Sequence, residues 1–153
     1  MTWQRFESSA PEFAAMAKAQ ICREVALIGT IRADGSPRIS CVEPCILDGN
    51  LFLGMMWQSR KALDLLRDPR LVLHNTVCTS TGDEVEVSVR GLATEIHEPE
   101  ARGTYVNTMT EWKGARFHLF TVDIDSAALI RYGHGQQSVK LWPQDKESVR
   151  SYP

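Results

Sequence analysis

The sequence predicts a mainly β protein, an antiparallel barrel that is closed or nearly closed and flanked by about three helices. Many short segments are rich in β-branched residues or alternate apolar with polar residues, as strands do. Turn signals rich in Gly, Asp and Asn separate these segments. The chain lacks the strand–helix–strand order that is typical of a parallel sheet. Because side chains fill the interior of a small barrel, a large ligand is expected in an outer groove or at a subunit interface.

Length and composition indicate one soluble domain spanning residues 1–153. The chain is 43% hydrophobic and 24% charged, which is ordinary for a globular protein. A formal net charge of -2 gives no support for nucleic-acid binding, which favours a basic face. No apolar run approaches the roughly 18 residues of a membrane helix. The N-terminus lacks a secretory signal, so we expect a cytoplasmic protein without a membrane partner.

The first half of the chain predicts a helix followed by three strands. A hydroxyl cap and an early proline start a helix over 9–23. A strand at 25–32 leads through an Asp-Gly turn into a return strand at 38–47, and a third strand follows at 50–56. Pro44 indicates an edge position or a bulge within the return strand. Two tight turns joining three strands predict an antiparallel meander.

The second half begins with an amphipathic helix from Arg60, which Pro69 stops. Its pattern places Ala62, Leu63 and Leu66 on one side and Asp64, Arg67 and Asp68 largely on the other. Further strands are expected at 71–78, 84–96, 117–124, 128–132 and 138–142, with a short helix near 100–111. Gly91 interrupts an alternating strand, as a β-bulge does. The polar tail 144–153 is expected to be loose.

Cysteines and histidines give no metal or disulfide signature. The four cysteines form no C-x-x-C pair, and we expect reduced, mostly buried thiols: Cys22, Cys41, Cys45 and Cys78. Cys41 and Cys45 fall on one strand face, but about 13 Å of strand rise separates them. The histidines are scattered without ligand spacing: His74, His97, His118 and His134. No metal site is expected.

The most informative stretch is 53–63, where an apolar strand ends at Met56 and the amphipathic helix begins near Arg60. A hydroxyl, a guanidinium and an ammonium follow one another there as Ser59, Arg60 and Lys61. Helix N-terminal N–H groups, a planar bidentate donor and a point charge are the groups that bind a phosphate. The alternative interpretation is that Ser59 caps the helix while the two cations are solvated. The tripeptide alone leaves both interpretations open.

The order of the turns around this stretch resembles the pyridoxamine 5'-phosphate oxidase-like family. The matching motifs are Asp34-Gly35-Ser36-Pro37, Asp48-Gly49-Asn50-Leu51-Phe52, Ser59-Arg60-Lys61-Ala62 and Arg67-Asp68-Pro69-Arg70-Leu71-Val72-Leu73. The likeness covers roughly residues 20–97 well and the C-terminal third loosely. Family members are FMN-binding split β-barrels of Greek-key type, with a branch that uses the deazaflavin F420. The resemblance favours the phosphate interpretation of the tripeptide.

The resemblance implies an obligate homodimer with a flavin at each of two interface sites. Ser59, Arg60 and Lys61 would then hold the phosphate. The strand residues implied to lie along the isoalloxazine are Ser40, Cys41 and Val42, with Gly54 and Met55 on the neighbouring strand. Gly54 would permit a close approach. Trp57 is expected either to cover a flavin or the dimer seam, or to pack locally.

Several departures from the family pattern exclude pyridoxamine phosphate oxidation itself. The family's oxidases carry an arginine near Ser40 and a lysine near Cys45, and both are missing here. Glu86 stands where they have a flavin-contacting glutamine, and an ionised carboxylate cannot donate to a flavin carbonyl. Their C-terminal substrate-binding signature is also absent.

The leading hypothesis is an FMN-dependent oxidoreductase acting on an unidentified small organic substrate. An F420-dependent reductase is the first alternative, since a long anionic tail needs a basic groove. The cations available for that groove are Arg38, Arg60, Lys61 and Arg67. A non-catalytic module that binds flavin or haem is the second alternative, and a purely structural interaction protein is the third.

Overall fold

The computed structural model describes residues 1–23 and 25–152. Within them, nine antiparallel strands form one sheet that curves into a barrel. The strands are β1 Ala26–Ile31, β2 Pro37–Val42, β3 Pro44–Leu47, β4 Asn50–Met56, β5 Arg70–Asn75, β6 Val85–Glu95, β7 Phe117–Gly133, β8 Gln136–Trp142 and β9 Lys146–Ser151. Hydrogen bonding links them in the order β2-β1-β5-β6-β7-β4-β3, with β8 on β7 and β9 on β8. The predicted mainly β, antiparallel barrel is confirmed.

The helices are more numerous than predicted. The described residues contain α1 Trp3–Ser9, α2 Pro11–Ile21, α3 Arg60–Arg67, α4 Pro99–Thr108 and a 3-10 helix at Thr110–Trp112. The helix predicted over 9–23 is present as α2 Pro11–Ile21, whereas α1, which precedes it and ends before Ala10, was not predicted. Trp3 and Phe6, three residues apart, bury a stripe of α1 that is too short to show clear periodicity. None of the helices described is both long and apolar enough to span a membrane.

The chain splits between β2 and β3, where a continuous return strand was predicted. That prediction and the three-stranded meander are wrong. β2 ends at Val42 and pairs with β1, whereas β3 starts at Pro44 and pairs with β4. The two strands therefore lie at opposite ends of the sheet path. The predicted edge position of Pro44 is confirmed, since this residue has no N–H to offer a further strand.

β7 is the longest strand and joins the two parts of the sheet. The two strands predicted at 117–124 and 128–132 are one strand of 17 residues. Its first part pairs with β4 and its last part with β8, while β6 runs along its other edge. The register shifts between Arg90 and Gly91, so the predicted bulge is confirmed. A Cβ on Gly91 would lie 2.1 Å from the carbonyl oxygen of Asp123, which explains the glycine.

The C-terminal tail and the cysteines also differ from expectation. Residues 146–151 form β9, so the prediction of a loose tail over 144–152 is wrong, and residue 153 lies outside the described residues. Strand pairing uses backbone groups, so an entirely exposed, polar segment gave little signal. All four cysteines are free thiols, but Cys41 and Cys78 are exposed and the other two are half-buried. The prediction of mostly buried thiols is therefore wrong.

Two apolar clusters stabilise the fold. The larger fills the barrel and extends under α1 and α2, and its fully buried members include Ile28, Leu53 and Phe120. The smaller lies between α4 and the outer side of β4 and β7, and it contains Phe52, Tyr105, Phe117 and Leu119. The second cluster positions α4 and the 3-10 helix beside the end of β4.

Candidate cofactor-binding site

The junction between β4 and α3 places the predicted phosphate residues. The chain leaves β4 through Gln58, whose φ is +57°, and Ser59 occupies the N-cap position of α3. The side chain of Ser59 makes no capping hydrogen bond, and its buried Oγ has no hydrogen-bond partner among residues 1–23 and 25–152. The alternative in which Ser59 caps the helix is therefore not observed. A buried hydroxyl without a partner costs roughly 1–3 kcal/mol, which a bound acceptor would recover.

The two cations that follow Ser59 have different environments. Arg60 is exposed at the first turn of α3. Lys61 is half-buried, and its Nζ donates a hydrogen bond to the carbonyl oxygen of Cys41 on β2. Burial lowers the pKa of Lys61 below its ordinary value. The Lys61 ammonium therefore links α3, which follows β4, to β2 across a split in the sheet where β2 and β4 are not paired.

A cavity of about 200 Å³ opens at this split. It is lined by Val25, Cys41, Val42, Glu43, Gly54, Met55, Met56, Lys61 and Trp112. Five of the eight predicted cofactor residues line it, namely Cys41, Val42, Gly54, Met55 and Lys61. The other three, Ser40, Ser59 and Arg60, are absent from the wall. Small-molecule pockets usually measure about 300–1,000 Å³, so this cavity has the size of part of a site.

The space beside Gly54 is already occupied by Tyr105. A Cβ built on Gly54 would lie 2.3 Å from the Tyr105 hydroxyl oxygen and 3.2 Å from Cε2 of Trp112. The side chain of Tyr105 is 1% exposed, and burial raises its pKa well above the ordinary value. The close approach that the sequence indicated at Gly54 is thus made by a side chain of the same molecule. Met55 is also buried, so a ligand would meet mainly backbone here.

A buried ion network attaches α3 to the neighbouring strands. The Asp64 carboxylate is 4% exposed and accepts hydrogen bonds from Nε of Arg38 at 2.6 Å and Oγ1 of Thr30 at 2.9 Å. Arg67 lies 3.5 Å from the same carboxylate and also donates to the carbonyl oxygen of Ile31. Burial acts to raise the pKa of Asp64, but the hydrogen bonds from Arg38 and Thr30 outweigh it and hold that pKa below its usual value.

This network corrects the predicted faces of α3. Asp64 is buried, although the helical pattern placed it on the polar side, and Leu66 is 47% exposed instead. The pattern failed because the side chain that pairs with Asp64, Arg38, lies 26 residues away on another strand. Two of the four cations expected to form a basic groove, Arg38 and Arg67, are therefore committed to Asp64.

Other cavities and titratable groups lie apart from this site. A polar groove of 550 Å³ lies between the end of α2 and the 75–85 segment, and a more apolar groove of 530 Å³ lies between the α1–α2 corner and β8. Neither is lined by a predicted cofactor residue. In the part of the chain that the structure describes, no group of three or more His, Cys, Asp or Glu side chains is arranged to hold a metal ion.

Comparisons with known proteins place this geometry in a fold family. No family model and no curated protein matches the chain. A candidate pyridoxamine 5'-phosphate oxidase from Listeria innocua aligns at 15% identity and a TM-score of 0.61, covering 78% of this chain and 95% of the other. A NimC/NimA family protein from Clostridium acetobutylicum aligns at 8% identity and a TM-score of 0.62, covering 95% and 99%. The fold is the pyridoxamine 5'-phosphate oxidase-like split β-barrel.

Proteins with different named functions share this split barrel. HutZ, the heme storage protein from Vibrio cholerae, also aligns with the chain, at 17% identity and a TM-score of 0.61 over 81% of this chain and 94% of the other. The names of these proteins thus include a candidate oxidase and a heme storage protein. At these identities the likeness shows the split-barrel fold.

Proposed function

We propose that this split-barrel protein binds FMN and acts as a flavin-dependent oxidoreductase on a small organic substrate. The single observation that supports FMN best is the buried hydroxyl of Ser59 at the start of α3, which has no hydrogen-bond partner in the part of the chain that the structure describes. Ser59 is followed in the chain by the exposed Arg60 and by Lys61, and the first turn of α3 has N–H groups without partners inside the helix. This set of donors fits one phosphate group.

The charges around the cavity favour a single phosphate over the long anionic tail of F420. Arg38 and Arg67 pair with Asp64, so only Arg60 and Lys61 of the four cations expected in a basic groove remain for a ligand. Glu43 lines the same cavity and adds a negative charge. Each additional carboxylate or phosphate of an extended tail would meet repulsion that a single phosphate avoids.

We further propose that the site is completed by a second copy of the chain in a homodimer. The cavity in one chain is too small for a flavin ring and is open to solvent. Ile39 on β2 and Met56 at the end of β4 are 73% and 72% exposed, more than the other large apolar side chains that the structure describes. A partner that covers these residues would bury apolar surface and deepen the cavity at the same time.

The chemistry in this proposal comes from the flavin, which supplies hydride or electron transfer when it is bound. The residues of the chain bind and orient it. Ser59, Arg60 and Lys61 hold the phosphate, while backbone groups of β2 and β4 contact the ring edge without introducing charge. Val42 and Met55 support these strands from the barrel interior and keep the segment rigid.

A non-catalytic module that binds haem or flavin is the second candidate. The absence of the two family cations near Ser40 and Cys45 reduces the electrostatic attraction for a phosphate. HutZ, a heme storage protein, has the same fold. A planar ligand held mainly by apolar contacts would fit these features.

Titration of the purified protein with FMN, F420 and haemin, followed by visible absorption and tryptophan fluorescence, separates the candidates. We expect saturable FMN binding near one per chain and weaker F420 binding. Reduction of the bound FMN by a nicotinamide donor and its reoxidation by an acceptor would support catalysis. Tight haemin binding without FMN binding would refute the oxidoreductase and favour the storage module. Light scattering of the same samples tests the dimer, which a monomer would contradict.

A further inference from the structure

The indole of Trp57 lies between two side chains, one from β7 and one from the residue that directly precedes β7. Its ring stacks on the imidazole of His118 with centroids 4.3 Å apart and planes inclined by 9°. The guanidinium carbon of Arg116 lies 3.7 Å from the centroid of the same indole. Two groups this close to one ring must occupy opposite faces. The three side chains form a stack in the order Arg116, Trp57, His118, here called the Trp57 stack.

The backbone of β7 makes this stack possible. Side chains two residues apart project from the same face of an extended chain about 6.6–6.8 Å from one another. That separation admits one aromatic ring between Arg116 and His118. β4 runs beside this part of β7, with Met56 opposite Phe117, so Trp57 follows directly from a strand of fixed register. Trp57, the first residue after β4, is therefore placed where its ring can enter the space between Arg116 and His118.

His118 is itself fixed from the other side. Its side chain is 2% exposed, and its Nδ1 lies 2.6 Å from Oε1 of Glu95 on β6. The second oxygen of Glu95 lies 3.3 Å from Nε2 of His97. A buried histidine whose ring nitrogen contacts a carboxylate cannot easily change its ring orientation. The face that His118 presents to Trp57 is thus a rigid surface.

The stack lies two residues before the phosphate segment. Trp57 is followed by Gln58, whose φ of +57° turns the chain, and then by Ser59. A positive φ is an energetically costly backbone conformation for glutamine, and it persists only where neighbouring contacts stabilise it. The stack on one side and the first turn of α3 on the other supply those contacts.

We propose that Trp57 is a positioning residue, which fixes the direction of the turn at Gln58 and thereby aims Ser59, Arg60 and Lys61 at the cofactor phosphate. This inference rests on the proposed FMN site and adds a requirement for residues that never touch the phosphate. It assigns to Arg116 and His118 the role of holding the indole. Loss of the stack should weaken the phosphate contacts while leaving contacts with the flavin ring in place.

The difference between FMN and riboflavin isolates this effect, because the two ligands share the ring and differ in the phosphate. We expect Trp57→Ala to lower FMN affinity about tenfold and riboflavin affinity less than about twofold. Trp57→Phe keeps a ring in the slot and should lose less than about threefold in FMN affinity. Arg116→Ala should lose about twofold to fivefold, the size of one exposed cation–π contact, and Arg116→Lys should restore most of it.

The control is Arg150→Ala, which removes an exposed arginine from β9 and should change neither affinity. Equal losses for FMN and riboflavin in Trp57→Ala, or unchanged FMN binding in both Trp57→Ala and Arg116→Ala, would overturn the positioning role. If Trp57→Ala does not fold, as judged by circular dichroism, the FMN affinities of Arg116→Ala and Arg116→Lys test the proposal by themselves. A wild-type protein that binds FMN no better than riboflavin would overturn the phosphate site itself, and the positioning role with it.

Discussion

Replacing Gly54 by alanine tests the packing that defines the inner wall of the site. The added Cβ would lie 2.3 Å from the hydroxyl oxygen of Tyr105 and 3.0 Å from its Cζ, both closer than ordinary contacts. Tyr105 is 1% exposed and packs among aromatic rings, so it has little room to move. Overpacking of this kind costs about 1–3 kcal/mol. The middle of this range, about 2 kcal/mol, is the destabilisation that we expect for Gly54→Ala.

A double-mutant cycle with Tyr105→Phe separates the clash from a general effect on β4. The Tyr105 hydroxyl is buried and has no hydrogen-bond partner among the described residues, so its removal alone should change stability by less than about 1 kcal/mol. The double variant should regain about 1 kcal/mol relative to Gly54→Ala, which is a measurable coupling energy. Urea unfolding of the four proteins at one pH supplies the values. Additive effects within error would refute the assigned contact.

Two further predictions concern the ion network and the cavity wall. Asp64→Asn should destabilise the fold by about 3 kcal/mol near pH 7, since Arg38 loses a buried partner but remains 23% exposed. Folding lowers the pKa of Asp64, so the wild type loses its stability advantage over Asp64→Asn as the pH falls below about 4. The free energies of unfolding of the two proteins should then converge. A constant difference down to pH 2 would contradict the network. Saturating FMN should slow alkylation of Cys41, which lines the cavity, and leave the exposed Cys78 unaffected, as mass spectrometry would show. Equal rates with and without FMN at Cys41 would place the ligand elsewhere.

The parts of the fold that sequence predicted are those that local chemistry determines. The amphipathic helix from Arg60, the bulge at Gly91 and the edge position of Pro44 each follow from one residue type or one short pattern. The family resemblance then supplied the barrel as a whole. Five predicted cofactor residues line one cavity because β2 and the β4–α3 junction, far apart in sequence, flank the same split in the sheet.

The features that sequence reasoning missed depend on partners distant in the chain. Tyr105 fills the space beside Gly54 from a helix some fifty residues later, and no local pattern indicates that contact. Asp64 looks solvent-facing until Arg38 is placed beside it. The sequence leaves open whether Trp57 covers a flavin or the dimer seam or packs locally, and its contacts with Arg116 and His118 become visible only when β4 pairs with β7.

The most direct test of the proposed site is FMN affinity in a protein lacking both cations at the start of α3. Each charge-assisted contact is worth roughly 1.5–3 kcal/mol, so Arg60→Ala with Lys61→Ala should weaken FMN binding by at least about 100-fold. The matched control, Lys146→Ala with Arg150→Ala, removes one lysine and one arginine from the exposed strand β9 and should leave the affinity unchanged. Wild-type affinity in the first variant, or equal losses in both, would contradict a phosphate bound at the β4–α3 junction.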